Sequence, residues 1–215
     1  MPYQILADMI TAHDALLELR DGNRRFVAGE IDAESMASRA HQVGMSGGQN
    51  PFAIVLACSD SRVPVELVFD QGFGDLFVIR VAGNVVAPSQ IGSIEFAASQ
   101  FGTQLVVVLG HSNCGVVIAT LKELAMEQTH RSPNLRAIVD RVRPAIEPVL
   151  EAHKDSDTNT LTGAAVRANI LASVDKLMHG SLILEQLIES GELTIVGAEY
   201  SIETGKVEFF DKNPS

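Results

Sequence analysis

Both cysteines of the chain, Cys58 and Cys114, and one of its six histidines, His111, stand where short apolar runs give way to small polar residues. The run at 52–57 passes into Cys58, Ser59, Asp60, Ser61 and Arg62, and the run at 105–109 into Gly110, His111, Ser112, Asn113, Cys114 and Gly115. Two thiols and an imidazole brought together from two strand ends make a three-ligand set. Cys₂His is one of the sets that hold a catalytic zinc and leave its fourth tetrahedral position open. His111 and Cys114 are three residues apart, a spacing suited to a turn that enters a helix. A cysteine in a first helical turn meets free backbone N–H groups and the positive end of the dipole, both of which favour the metal-binding thiolate. A disulfide between the two cysteines, or a pair of inert buried thiols, is the alternative reading.

Asp60 and Arg62 occupy alternate positions of the loop that begins with Cys58, close enough for a bidentate ion pair. On an open surface such a pair contributes little. Beside a zinc it has a sharper use, because a carboxylate held by the guanidinium can accept the proton of a metal-bound water and orient its oxygen as a nucleophile. Freed from Arg62, the same carboxylate could take the open metal position, which would make the pair a switch. The remaining histidines, His13, His41, His130, His153 and His179, are scattered through helical or polar segments and read as ordinary surface or core residues. Gly72-Phe73-Gly74 is a fragment of a dinucleotide loop, but it precedes a strand instead of following one.

The elements that must position these groups follow from the apolar pattern. Residues 52–57, 76–81 and 105–109 are apolar apart from Arg80, rich in β-branched residues and without alternation, which suits strands buried on both faces of a parallel sheet. Helical periodicity follows at 93–101, 116–126, 135–150 and 163–189, the last with a break near Gly180. A fourth run at 193–199 leads through Glu203, Thr204 and Gly205 into 206–210, which predicts a terminal antiparallel hairpin. The expected fold is α/β: a mostly parallel central sheet of four strands plus an antiparallel C-terminal edge strand, flanked by helices. In such sheets ligands bind beyond the carboxyl ends of the strands, where Cys58, His111 and Cys114 lie.

At the N-terminus Leu6, Ile10, Leu16, Leu17, Leu19, Phe26 and Val27 recur at close to a helical period, giving one or two amphipathic helices with Gly22 and Gly29 as weak points or ends. A small, polar arm at 31–50 follows, so a single domain over 1–215 is expected, with a helical arm to residue 50 and the α/β core from 51.

The chain has 215 residues, 46% of them hydrophobic, which is enough for one large core. Its formal charge of −11 opposes nucleic acid and anionic membrane surfaces. No apolar stretch approaches the roughly 18 residues of a membrane span. The first thirty residues carry Asp8, Asp14, Glu18 and Arg20 where a signal peptide needs an unbroken apolar stretch, so a soluble, cytoplasmic protein is expected.

Taken together these motifs resemble the β-class carbonic anhydrases. The resemblance rests on Cys58-Ser-Asp60-Ser-Arg62 followed by Val63-Pro64, on Phe77-Val-Ile-Arg80-Val-Ala-Gly-Asn84, on Gly110-His111-Ser-Asn-Cys114-Gly115, and on Leu19-Arg-Asp-Gly-Asn-Arg-Arg-Phe26. It implies Cys58, His111 and Cys114 as ligands of one Zn2+ per subunit, and Asp60 and Arg62 as a catalytic dyad. The reaction would be the reversible hydration of carbon dioxide to bicarbonate and a proton by a zinc-bound hydroxide. A carbon disulfide or carbonyl sulfide hydrolase on the same scaffold, and a non-catalytic zinc or redox module, are the alternatives.

The same resemblance implies a substrate pocket built across a dimer interface. Gln49 matches its amide donor and Phe77 an apolar wall, with Ala82, Gly83 and Phe96 also lining it; Phe96 stands where many members carry Tyr and Ala82 where they carry Val. The N-terminal helices would pack on a partner subunit, giving a homodimer or a pair of dimers forming a tetramer. One branch of the family has a regulatory bicarbonate site made from Trp, Arg and Tyr. Arg80 and Tyr200 match it, but Val55 occupies the Trp position, so no such site is expected. Because two thiolates cancel the zinc's formal charge, activity is expected to rise above neutral pH.

Overall fold

The computed structural model describes residues 10–31, 48–125 and 132–210. Segments 1–9 and 32–47, which include most of the polar arm expected at 31–50, lie outside the described residues, as do His41 and His130. The first helix, α1, spans Ala12–Ala28, with the Thr11 hydroxyl accepting from the Asp14 N–H at its start and Gly29 closing it in the left-handed region. Its buried stripe of Ala15, Leu19, Gly22 and Asn23 follows the helical period and faces the chain's own sheet. Gly22 is neither a weak point nor an end. It lies inside α1, where a Cβ would come within 1.8 Å of the Phe69 carbonyl oxygen, so a side chain there would force helix and loop apart.

The sheet has five strands: β1 (Ala53–Ala57), β2 (Leu76–Arg80), β3 (Leu105–His111), β4 (Thr194–Tyr200) and β5 (Val207–Phe209). Their order is β2-β1-β3-β4-β5, parallel throughout except for the final β4–β5 hairpin. This is the expected arrangement except at β2, which is an edge strand, half-buried over most of its length and exposed at Arg80, and so is not covered on both faces as its apolar run had suggested.

The absence of alternation in β1 and β3 has a direct cause. Ile54, Leu56, Val106 and Val108 pack into one core layer, while Ala53, Val55, Ala57, Leu105, Val107 and Leu109 pack into the other. Both faces of each strand are covered, so apolar residues are needed at every position.

The covering helices are α2 (Val65–Val68), α3 (Pro88–Phe101), α4 (Gly115–Ala125), α5 (Pro133–Ala152), α6 (Thr158–His179) and α7 (Leu182–Glu189). A single 3₁₀ turn at Ala82–Asn84 links β2 to α3. The break anticipated near Gly180 separates α6 from α7, with the Ser181 side chain capping the second. Among the described residues no helix is long and apolar enough to cross a membrane.

Candidate metal centre

Parallel strands put their carboxyl ends on one edge, and β1 and β3 are adjacent there. Cys58 follows β1 directly, His111 is the last residue of β3, and Cys114 stands immediately before α4. The third run therefore extends two residues further than its apolar part, and His111 is held rigidly as a strand residue with no solvent exposure. The Cys58 and Cys114 sulfurs and a His111 ring nitrogen all lie within 4.8 Å of one another, and both cysteines are free thiols. Among the described residues this is the group of three that could hold a metal ion.

Three observations test whether a zinc fits. The Nδ1 atom of His111 lies 2.9 Å from the Ser112 carbonyl, which fixes its proton on that nitrogen and turns the Nε2 lone pair inward. Nε2 is fully buried and has no hydrogen-bond partner. Finally, the two thiols cannot both ionise unaided. A hydrogen bond from Cys114, aided by His111 and the Gly83 N–H against the cost of burial, holds the Cys58 thiol down to about 4. The hydrogen bond to Cys58 and burial push Cys114 far up, even though the Val116 and Val117 N–H groups favour its thiolate. A divalent cation between them removes that conflict, so the donor set fits zinc.

Asp60 lies beside the cluster, its Oδ2 3.9 Å from His111 Nε2. The bidentate pair expected from the sequence is present, with Arg62 Nε donating to Oδ1 at 2.9 Å and Nη2 to Oδ2 at 2.8 Å. These bonds hold the Asp60 carboxyl well below the usual carboxylate range, against a smaller opposing effect of burial. For His111, burial is the largest influence and disfavours the cation, but Cys58, the Ser112 carbonyl and Asp60 together raise its pKa.

A family profile described as carbonic anhydrase matches residues 53–207. Carbonic anhydrase 2 of Mycobacterium tuberculosis is 37% identical over 193 residues, covering 90% of each chain. The carbonic anhydrase of Mycolicibacterium smegmatis is 40% identical over 190 residues, covering 88% of this chain and 89% of that one. The solved structure of the β-carbonic anhydrase CcaA superposes with a TM-score of 0.73 at 27% identity, covering 94% of this chain and 93% of that one. The chain belongs to the β-carbonic anhydrase family. Carbonic anhydrases are zinc lyases that interconvert carbon dioxide and bicarbonate, and the Cys58, His111 and Cys114 cluster is compatible with that metal.

Against this family background, the other residues singled out in the sequence divide into two groups. Gly83 belongs to the metal cluster, its N–H donating to the Cys58 sulfur at 3.3 Å, and Ala82 precedes it in the same turn. Gly83 has a φ of 71°, and a Cβ there would come within 2.9 Å of Val116, so glycine allows this close approach. Gln49, Phe77 and Phe96 stand elsewhere. Phe77 is in register with Ile54, four residues before Cys58 and so about 13 Å back along parallel strands. Phe96, 52% exposed, packs on Phe77 with ring centroids 6.3 Å apart. Gln49 is exposed and its Cα lies beside Gly74, ahead of β2.

Two contributors had not been assigned these roles from sequence. The Ser112 carbonyl orients His111, and the Ser112 hydroxyl accepts from the Ile202 N–H, anchoring that turn to the final hairpin. Arg80 donates to the carbonyls of Cys58 and Asp60. The Arg80-Val-Ala-Gly-Asn84 motif carried this second signal without showing what the arginine would touch.

Proposed function

We propose that this chain catalyses the reversible hydration of carbon dioxide to bicarbonate, with one Zn2+ held by Cys58, His111 and Cys114 and with Asp60 and Arg62 as its catalytic pair. The observation that carries the reading is the Asp60 carboxylate, fixed by Arg62 3.9 Å from the inward-facing His111 Nε2. When bound, zinc supplies the Lewis acidity that makes water a nucleophile near neutral pH.

The chain's own residues do the rest. Arg62 keeps Asp60 ionised through the working pH range, so its carboxylate accepts a hydrogen bond from the nucleophile and directs a lone pair at the carbon. A carboxyl held so low is a poor store for a proton, so the proton released must leave to solvent or buffer by another route. The Gly83 N–H disperses charge on the Cys58 sulfur, and the Ser112 carbonyl holds the imidazole in one tautomer.

Gln49, Phe77 and Phe96 serve the site of a neighbouring subunit in this reading, because they stand at the far ends of the strands from their own cluster. Phe73, 70% exposed in the loop ahead of β2, adds apolar surface beside them, which fits an interface in a homodimer. Ala82 and Gly83 line the pocket of their own chain. The whole of residues 1–215 acts as one unit, and Leu17 and Val27, exposed on α1 along a groove shared with Val207 and Phe209 of β5, are available to a partner. A cytoplasmic location fits the closely placed free thiols, which an oxidising compartment would expose to disulfide formation.

The test is removal of metal by a chelator with hydration followed by stopped flow. Activity lost with the zinc and restored by stoichiometric zinc supports the reading. Stoichiometric zinc without hydration contradicts it.

A further inference from the structure

Arg80, the last residue of β2, does not enter the metal cluster. Its guanidinium crosses to the neighbouring loop, where Nε donates to the Cys58 carbonyl at 3.1 Å and Nη2 to the Asp60 carbonyl at 2.6 Å. We propose that Arg80 is a positioning residue for the reaction, setting the directions of the Cys58 sulfur and the Asp60 carboxylate together by tying down both of their peptide planes. This rests on the reading of Asp60 and the Cys₂His cluster given above.

The loop needs such a tie because it has left the sheet. The strand ladder continues only as far as the Val81 N–H on the Ala57 carbonyl, at 3.1 Å. Beyond it, the Val63 N–H on the Asp60 carbonyl and the Arg62 N–H on the Asp60 carboxylate are bonds within the loop itself. They give the loop a shape but do not place it on the sheet. Arg80 and the Gly83 N–H supply bonds from the β2 side to the loop, one to the backbone and the other to the sulfur.

The Asp60 carbonyl is the junction. It accepts from Val63 and from Arg80, so both of its lone pairs are engaged and the plane of its peptide is fixed. The same residue's carboxylate is gripped by Arg62, so Arg80 acts on the backbone and Arg62 on the side chain of one residue. A planar guanidinium can reach two carbonyls at once in a fixed relation, whereas an ammonium is a single point charge on a flexible stem. Arg80 is also exposed, so replacing it removes the tie without opening a cavity.

The experiment compares Arg80→Met and Arg80→Lys, each alone and combined with Asp60→Asn. Four quantities are read: zinc per chain, kcat and KM for carbon dioxide hydration, thermal midpoint, and the rate of zinc transfer to a chromophoric chelator. The expected result is one zinc per chain and an unchanged fold, with kcat lowered about tenfold or more and KM changed less than about twofold. Lysine does not restore the rate, and zinc transfer becomes several-fold faster. On the Asp60→Asn background Arg80→Met lowers kcat less than about twofold, because the carboxylate it positions is already gone.

Wild-type kcat and transfer rate in Arg80→Met would overturn the proposal, and so would an equal loss of kcat on both backgrounds. A wild-type protein that binds zinc but hydrates no carbon dioxide would instead overturn the assigned reaction, while the transfer rates would still decide whether Arg80 braces the metal loop.

Discussion

Arg62 grips Asp60 from two residues further along the same loop, with Nε, Nη2 and the backbone N–H all donating to its two carboxylate oxygens at 2.8–3.0 Å. The grip leaves Oδ2 3.9 Å from His111 Nε2, beside the metal position but outside hydrogen-bond reach of the imidazole. A fixed negative acceptor is thereby placed next to a cluster whose donors call for a cation. In the proposed mechanism the reactivity of the site depends on that placement being kept.

Arg62→Lys should separate charge from geometry. Lysine keeps the positive charge but cannot span both carboxylate oxygens, so Asp60 loosens and can reach towards the metal. Zinc content should stay at one per chain while hydration falls about tenfold to a hundredfold. Stopped-flow rates on samples of measured zinc content check this, and an unchanged rate would show that the bidentate geometry is unimportant.

Glu199 gives a pH-dependent stability change of predictable sign. Burial is the largest influence and raises its pKa, although Arg167, 3.6 Å away, acts in the opposite direction. A carboxyl whose folded pKa is raised favours folding while protonated, and this contribution is lost as pH rises from the unfolded value through the folded one. Glu199→Gln should therefore raise Tm slightly at pH 7, with the advantage fading below about pH 4.5. Thermal melts of both proteins from pH 4 to 8 would show this, and a variant less stable at pH 7 would contradict it.

Asn23 clamps the N-terminal helix to the body of the protein. Its Nδ2 donates to the carbonyls of Val68 and Gly205, and its Oδ1 accepts from the Val207 N–H at 2.9 Å. Asn23→Ala leaves these backbone groups without their side-chain partner and should cost about 2–4 kcal/mol in chemical denaturation. The zinc site lies at the other elements' ends, so metal content should not change. A loss below about 0.5 kcal/mol would show that water replaces the amide without penalty.

The parts of this account that could be read from sequence are those governed by local pattern. Residues 52–57 and 105–109 carry no polar position because both faces of β1 and β3 are buried, and that is visible in one dimension. Cys58, His111 and Cys114 were legible because a parallel sheet gathers strand ends on one edge. Gly22 misled because a glycine inside a helical pattern has the same appearance whether it ends the helix or admits a close neighbour, here the Phe69 carbonyl. Arg80 was hidden for a related reason, since its partners are backbone carbonyls, which every residue has. Gln49, Phe77 and Phe96 could be matched by motif, but their distance from the cluster within one chain depends on strand register.

The central claim is that Asp60 orients the nucleophile without holding the metal, and Asp60→Asn tests it most directly. Carbon dioxide hydration should be followed by stopped flow on the variant and the wild type, with zinc measured in the same samples. The account predicts one zinc per chain in both and a rate at least about a hundredfold lower in the variant. Equal rates at equal zinc content would contradict it.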